Sequence, residues 1–303
     1  MLSVAEAMRR ARRLGLVIPA FNTPYLPMVE PVIAAAADQD AFAMIETARI
    51  EWFKFPVGSL GAVAAEFARW ARPTWVRLHL DHVPVVDENG ARVEYLPFFQ
   101  EALGVGYESV MIDGSRLPLA ENIAHTRAVA DLAHAAGAAV EAELGAIMGH
   151  EEQPEMTYDE LYQSGRGFTD PAEAKTFAEQ SGCDWLSVAI GNIHGSVHAG
   201  RKDLKKVETR LNLEHLGRLA EAAGIPLVLH GGSGIQHDHI RGAVRHGIAK
   251  INVATEIRQP YEVVLRDTGS VVQAQQAVYE RTAWVLREFL QVSGSRTRLE
   301  AEA

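Results

Sequence analysis

The chain contains a single cysteine, Cys183, in 303 residues. No internal disulfide can form and no thiolate-based zinc site is available, a pattern that fits a reducing, cytoplasmic setting. Positive charge is also scarce. The formal net charge is -10, which argues against a nucleic acid partner, because a phosphate backbone needs a basic surface. A local cationic pocket for one phosphate remains compatible with that balance. No apolar run approaches the length of a membrane span, so no membrane partner is expected. The opening MLSVAEAMRRARRLGLVIPAFN places basic residues before an apolar stretch. That stretch is short and runs into Pro19 without a small-residue cleavage pattern, so it is not expected to act as a secretory leader. There is no internal repeat, no low-complexity linker and no GxGxxG after the first apolar run, where Asn22-Thr23-Pro24 stands instead.

What is present is a regular alternation. Eight apolar, β-branched-rich runs cover 16–21, 41–46, 75–80, 109–113, 138–144, 185–190, 226–230 and 250–254. Between most of them lie Ala-, Leu- and Glu-rich helical patterns, for example 64–71, 119–137, 170–182 and 212–224. Gly137, Gly182 and Gly224 sit where a left-handed C-cap is needed, and Asp170-Pro171 reads as an N-cap followed by proline at the first helical position. Near-continuous apolar strands alternating with helices imply a parallel sheet covered on both faces. Eight such units predict a closed (β/α)8 TIM barrel over about 16–256, with a C-terminal helical extension over about 257–295, in one domain spanning 1–303. A doubly wound open sheet competes, but it usually carries an early dinucleotide loop. Two segments break the rhythm. Residues 83–95 read as a hairpin or excursion after the third strand, and 145–169 as a long polar loop of the kind that forms lids or binding segments.

The chemistry-bearing residues fall at the ends of these runs, the active face of a barrel. His82, His194 and His230 end the third, sixth and seventh runs. Three neutral imidazoles converging on one point make an open zinc site with a fourth position for water or substrate. The plainer alternative is three hydrogen-bonded histidines at buried strand ends. Asp81 precedes His82, and strand neighbours point to opposite faces. Both reach one site only if the strand has begun to turn there. Asp81 then either transfers a proton to a substrate oxygen or orients a ligating histidine. His79 reads as packing or as a partner of the site residues. Asp113 and Glu143 end the fourth and fifth runs, where they bind a second metal, hold a displaced position of the first, or form a salt-bridge network. Glu151 and Glu152 lie on the long loop. A carboxylate delivered on a loop can act as general base, although Glu152 fits a solvated charge better. Gly195, Gly231, Gly232 and Ser233 offer backbone N–H groups to a phosphate, with Asn252 and Thr255 after the eighth strand.

IPAFN, LHLDH, SVMIDGS, VEAELG, AIGNIHG, LVLHGGSG and KINVATE, in this order over about residues 17–256, resemble the class II, zinc-dependent ketose-bisphosphate aldolases, which include fructose- and tagatose-bisphosphate aldolases. The resemblance implies reversible aldol cleavage of a ketose 1,6-bisphosphate, fructose 1,6-bisphosphate foremost, to dihydroxyacetone phosphate and an aldehyde such as glyceraldehyde 3-phosphate. It implies that His82, His194 and His230 bind the catalytic Zn2+. Asp81 would exchange a proton with the C4 oxygen, and Glu151 would move the proton at C3. Asp113 and Glu143 would belong to alternate or second divalent-metal positions. Gly195, Gly231 and Ser233 would hold the ketone-side phosphate with a monovalent cation (Na+ or K+). Asn252 and Thr255 would form the strand-eight substrate loop, and Asn22 would lie close to substrate. It implies no lysine Schiff base, despite the position of Lys250, and a homodimer or homotetramer.

The chain departs from this family in places where substrate identity is read. Ala48, Arg49 and Trp52 stand where a small hydroxyl-bearing residue and glycines are usual. His150, His198 and Ala254 also differ, although the tagatose-type pattern NVATE has the same alanine. Arg281 in VYERTAW matches a family arginine for the distal phosphate, with Arg49 as an alternative phosphate or carboxylate ligand. An enzyme of the same chemistry with another ketose phosphate, and a non-catalytic regulatory barrel, are the other readings.

Overall fold

A strand that is apolar on both faces must be covered on both, and closing a parallel sheet on itself inside a ring of helices does this. The computed structural model describes residues 1–145, 158–192, 210–232 and 235–302. Eight parallel strands close in chain order, with β1 paired to both β2 and β8. They are β1 Ile18–Asn22, β2 Ala43–Ala48, β3 Val76–Pro84, β4 Ser109–Asp113, β5 Ala139–Leu144, β6 Trp185–Val188, β7 Leu227–Leu229 and β8 Ile248–Val253. The described helices are α1 Val4–Leu14, α2 Val29–Asp38, α3 Arg49–Lys54, α4 Leu60–Trp70, α5 Leu96–Gly104, α6 Leu119–Ala135, α7 Tyr158–Ser164, α8 Pro171–Ser181, α9 Leu213–Ala223, α10 His237–Arg245, α11 Thr255–Thr268, α12 Val271–Trp284 and α13 Ser295–Ala301. This is the TIM barrel expected from the runs, not the open sheet.

The local signals act as their chemistry predicts. Asp170 caps α8 by accepting from the amides of Ala172 and Glu173, and Pro171 follows it. Gly182 and Gly224 end α8 and α9 in the left-handed conformation. The excursion after β3 is pinned by an antiparallel bridge between Val86 and Arg92. Asp87 steadies it by accepting from the amides of Asn89 and Ala91.

Period-two alternation sorts the strand residues into two apolar sets. Outward residues such as Phe21, Ile45, Leu78, Val110, Val140, Leu186, Leu229 and Ile251 pack against the surrounding helices. Inward residues near the strand starts, including Ile18, Met44, Ala139, Trp185 and Val228, form a second cluster. α1 closes that end of the barrel. Its Val4, Ala7, Met8 and Ala11 are buried in the second cluster. Each large side chain buried there contributes about 1.5–3 kcal/mol. The arginines of MRRARR therefore lie on the wet side of a packed helix, where Arg9 and Arg10 pair with Glu6. Apolar periodicity would have found this helix had the arginines not drawn attention to targeting signals.

Two irregularities aim side chains inward. The β3–β4 register shifts between Leu80 and Val83. The β7–β8 register shifts between Leu227 and Val228, where Leu227 pairs with Ile248 but Val228 pairs with Lys250. The first shift matters most, because it carries Asp81 and His82.

Candidate active site

Moving up the barrel interior, the inward side chains change from apolar to charged. Above the Trp185 layer lie Glu46, His79, Glu141 and Lys250, all fully buried. Lys250 Nζ is 3.2 Å from Glu46 Oε2 and 3.0 Å from Glu141 Oε2, and it donates to Asn252 Oδ1 at 2.6 Å. Burial opposes the Lys250 charge, but the facing carboxylates outweigh it and raise its pKa. A lysine held charged between two carboxyls is a poor amine nucleophile. Glu141 is the hub of this layer. It also accepts from Trp185 Nε1 at 2.7 Å and meets His230 Nε2 at 2.8 Å.

At the C-terminal rim, the bulge in β3 lets consecutive residues face one site. His82 adopts φ 23°, a left-handed value that costs a non-glycine residue about 1–3 kcal/mol. The distortion turns its ring towards His230, with His82 Nε2 2.6 Å from His230 Nδ1. Asp81 keeps its inward direction. Its Oδ2 accepts from Asn22 Nδ2 at 3.0 Å and its Oδ1 from Asn252 Nδ2 at 3.1 Å. Burial pushes the Asp81 carboxyl up, yet the positive charges around it, His82 first, hold it down at about 2. It is an ionised carboxylate held in place from both sides.

The histidine partners decide which nitrogens can bind a metal. His230 directs Nε2 to Glu141, and His82 directs Nδ1 to Asp113 Oδ2 at 3.4 Å. The other two ring nitrogens, His82 Nε2 and His230 Nδ1, face each other. Carboxylates behind two imidazoles that face each other are what metal sites use to orient histidine ligands. Asp81, His82 and His230 each offer an atom within 4.8 Å of the others, as do His82, Asp113 and Glu143. The donor set fits a divalent ion with nitrogen and oxygen ligands. Glu143 accepts from Ser187 Oγ at 3.2 Å. Burial, with Asp113 adding to it, raises its pKa well above the ordinary carboxylate range. A cation nearby would ionise it.

The other expected site residues fall on the same rim. Gly231 has φ 72°. A Cβ at Gly232 would meet the Ile251 side chain at 2.8 Å and the Asn252 carbonyl oxygen at 3.1 Å, so glycine is needed for the turn after β7 to lie against β8. Thr255 opens α11 directly after β8. Arg281, on α12, pairs with Glu256 and lies over the Trp284 ring at 4.0 Å. Arg49 begins α3 beyond Ala48, which is in register with Asp81. His194, Gly195, Ser233, Glu151, Glu152, His150 and His198 lie outside the described residues.

Sequence reasoning missed the supporting layer. Glu141 was readable in principle, because EAEL puts Glu141 and Glu143 two apart on one strand face. Asn192, which donates to the His230 carbonyl at 3.1 Å, had no such signal. Glu51 was also missed. Its Oε2 accepts from the Ala48 amide at 2.9 Å, and burial pushes its carboxyl up to about 8. A proton retained on folding makes stability fall as pH rises between the unfolded and folded values. The wild type should therefore lose stability relative to Glu51→Gln as pH rises from about 4.5 to about 8 and then level off. Parallel denaturant titrations of the two proteins across that range check this. A constant difference would mean that Glu51 is ionised when folded.

The chain is similar to known proteins over nearly its whole length. Residues 2–298 match the family of class II fructose-bisphosphate aldolases. Fructose-bisphosphate aldolases of Streptococcus pyogenes serotypes M3 and M1 are each 34% identical over 285 residues, covering 92% of this chain and 87% of theirs. The crystal structure of the YdjI aldolase from Escherichia coli K12 superposes with a TM-score of 0.77 at 29% identity, covering 98% of this chain and 100% of the other. A fructose-bisphosphate aldolase from Campylobacter jejuni, at 18% identity and a TM-score of 0.72 over 95% and 94% of the two chains, shares the fold. The barrel is thus that of an aldolase, a lyase. More narrowly, the chain belongs to the class II fructose-bisphosphate aldolase family.

Proposed function

We propose that this chain catalyses zinc-dependent, reversible aldol cleavage of a ketose 1,6-bisphosphate, fructose 1,6-bisphosphate foremost, to dihydroxyacetone phosphate and glyceraldehyde 3-phosphate. The observation that carries this reading is Asp81, an ionised carboxylate clamped by Asn22 and Asn252 beside two histidines whose ring nitrogens face each other at 2.6 Å. His82 and His230, with His194 as third ligand, would hold zinc, which when bound acts as a Lewis acid on the substrate carbonyl. Asp113 and Glu143 offer a second divalent position. The two clamping asparagines leave Asp81 no rotational freedom, so it accepts the C4 hydroxyl proton as the C3–C4 bond breaks. Glu151 returns a proton to C3. Gly195, Gly231, Gly232, Ser233 and Thr255 bind the ketone-side phosphate, with a monovalent cation completing the site, while Arg281 is the family-like contact for the distal phosphate.

Tagatose 1,6-bisphosphate is the second reading, favoured by Ala254 in the NVATE run. The acidic chain and its lone cysteine support a cytoplasmic enzyme, and the family resemblance supports a homodimer or homotetramer. Among the described residues no helix is long and apolar enough to cross a membrane.

The test is cleavage of fructose 1,6-bisphosphate with coupled triose-phosphate detection, before and after chelation and zinc add-back. Activity lost on chelation and restored by zinc is the expected result. Full activity without metal would overturn the zinc assignment. Inactivity with stoichiometric zinc bound would move the substrate to another ketose phosphate.

A further inference from the structure

Strands β6 and β7 stop pairing before they reach the rim. Among the described residues they pair at two positions, Leu186 with Leu227 and Ser187 with Val228. Every other neighbouring pair of strands is in register at three positions or more. His230 lies beyond this short ladder, directly after β7. Ala189 and Ile190, which continue the path of β6, are buried, and buried backbone groups need partners. Those partners come from outside the ladder. Thr169 Oγ1 accepts from the Ala189 amide at 2.8 Å, and the Thr169 amide donates to the Ala189 carbonyl at 3.0 Å. Asn192 Oδ1 accepts from the Ile190 amide at 2.9 Å, and its Nδ2 donates to the His230 carbonyl at 3.1 Å.

Asn192 is thus a rung between two strands at the level where their ladder has ended. An amide side chain has an acceptor end and a donor end, as a peptide group does, and Asn192 uses one on each strand. It is 1% exposed, so bulk water does not compete for either bond. The carbonyl that it holds belongs to a residue whose ring faces the metal position. Glu141 meets His230 Nε2 at 2.8 Å, which sets the tilt of the ring but not the main chain that carries it. Gly231 follows at φ 72°, and a glycine offers the peptide between them little resistance to rotation. The bond from Asn192 fixes the plane of that peptide.

We propose that Asn192 is a positioning residue of the metal centre. It spans the gap between β6 and β7 and holds the His230 main chain, so that Nδ1 keeps its place opposite His82 Nε2, 2.6 Å away. Part of the metal affinity then belongs to a residue that is not a ligand. This inference rests on the zinc reading above but fails separately from it.

The test measures zinc affinity of the folded protein by competition with a chromogenic chelator, and follows Co2+ loading by its visible absorption. Asn192→Ala is expected to raise the zinc Kd by about 10–100-fold, the range for groups that orient metal ligands, and to alter the Co2+ bands. Ser295→Ala is the control. Ser295 is also 1% exposed and accepts from the Phe42 amide at 3.1 Å, but it sits beside the start of β2, at the other end of the barrel. Both variants should melt below the wild type, because each leaves a buried amide unpaired. Only Asn192→Ala should weaken zinc binding. Asn192→Ser, a milder change whose hydroxyl is one bond shorter than the amide, should raise the Kd in the same direction and decides the matter if the alanine variant does not fold. Wild-type zinc affinity in a folded Asn192 variant, or equal weakening in Ser295→Ala, would overturn the proposal and leave Asn192 as a rung for stability alone. A wild type that binds no zinc overturns the zinc reading and this inference with it, whereas a zinc-binding wild type with unaltered variants overturns this inference alone.

Discussion

Asp81→Asn should lower kcat for C3–C4 cleavage by about 10²–10⁴-fold, the usual worth of a positioned general base. The exchange of the dihydroxyacetone phosphate C3 proton with solvent should continue, because that step uses another group. The contrast follows from how Asp81 is held. Asn22 and Asn252 each donate to one of its oxygens, so the carboxylate cannot swing to serve a second carbon. An asparagine at this position keeps the volume but turns one end of the side chain into a donor facing a donor. Leaving that contact unmade costs about 1–3 kcal/mol, so melting and zinc content must be measured with the kinetics. A folded, zinc-loaded variant with cleavage within tenfold of wild type would assign the C4 proton to a different residue. Equal loss of cleavage and exchange would show that Asp81 acts on the whole site through the metal ligands rather than on one oxygen.

How much of this was legible beforehand follows from the periods of the chain. Strand and helix alternation, strand ends and caps are local, and they predicted the barrel and the rim positions of His82, His230, Asp113 and Glu143. Ala48 and Ile248 belong to strands that the apolar runs cut short, because pairing with Asp81 and Leu227, not apolarity, fixes those ends. The joint use of Asp81 and His82 was readable only as a condition: both face the site if β3 turns. The condition is met by a register shift and a positive φ, neither of which has a residue-type signature in LDHVP. The charged layer beneath was hidden for another reason. Glu46, Glu141 and Lys250 sit singly in apolar runs, on three strands far apart in sequence, and only closure of the barrel brings them together.

That layer carries the second large effect. Lys250→Met should destabilise the protein by about 3–5 kcal/mol, the cost of removing one partner from a buried ion pair, and lower the melting temperature by on the order of 10 °C. Glu141 is the group left exposed to the loss. Burial alone would raise its pKa, but Lys250 and the hydrogen bonds from His230 and His79 hold it well below the ordinary range. Glu46 differs. Burial and the Asp81 charge raise it well above that range, outweighing Lys250. Of the two carboxyl partners of Lys250, Glu141 is therefore the one whose ionisation depends most on it. Methionine matches the lysine stem but not its charge, so Glu141→Gln added to Lys250→Met should recover a good part of the lost stability. Non-additivity of that kind is the signature of residues in one network. Equal destabilisation of the single and double variants would instead assign the loss to the packed lysine stem. Cleavage should fall in both, because Lys250 Nζ also holds Asn252 Oδ1 at 2.6 Å. Without that bond the Asn252 amide is free to turn away from Asp81, so the lysine orients the base that its own charge helps to keep ionised.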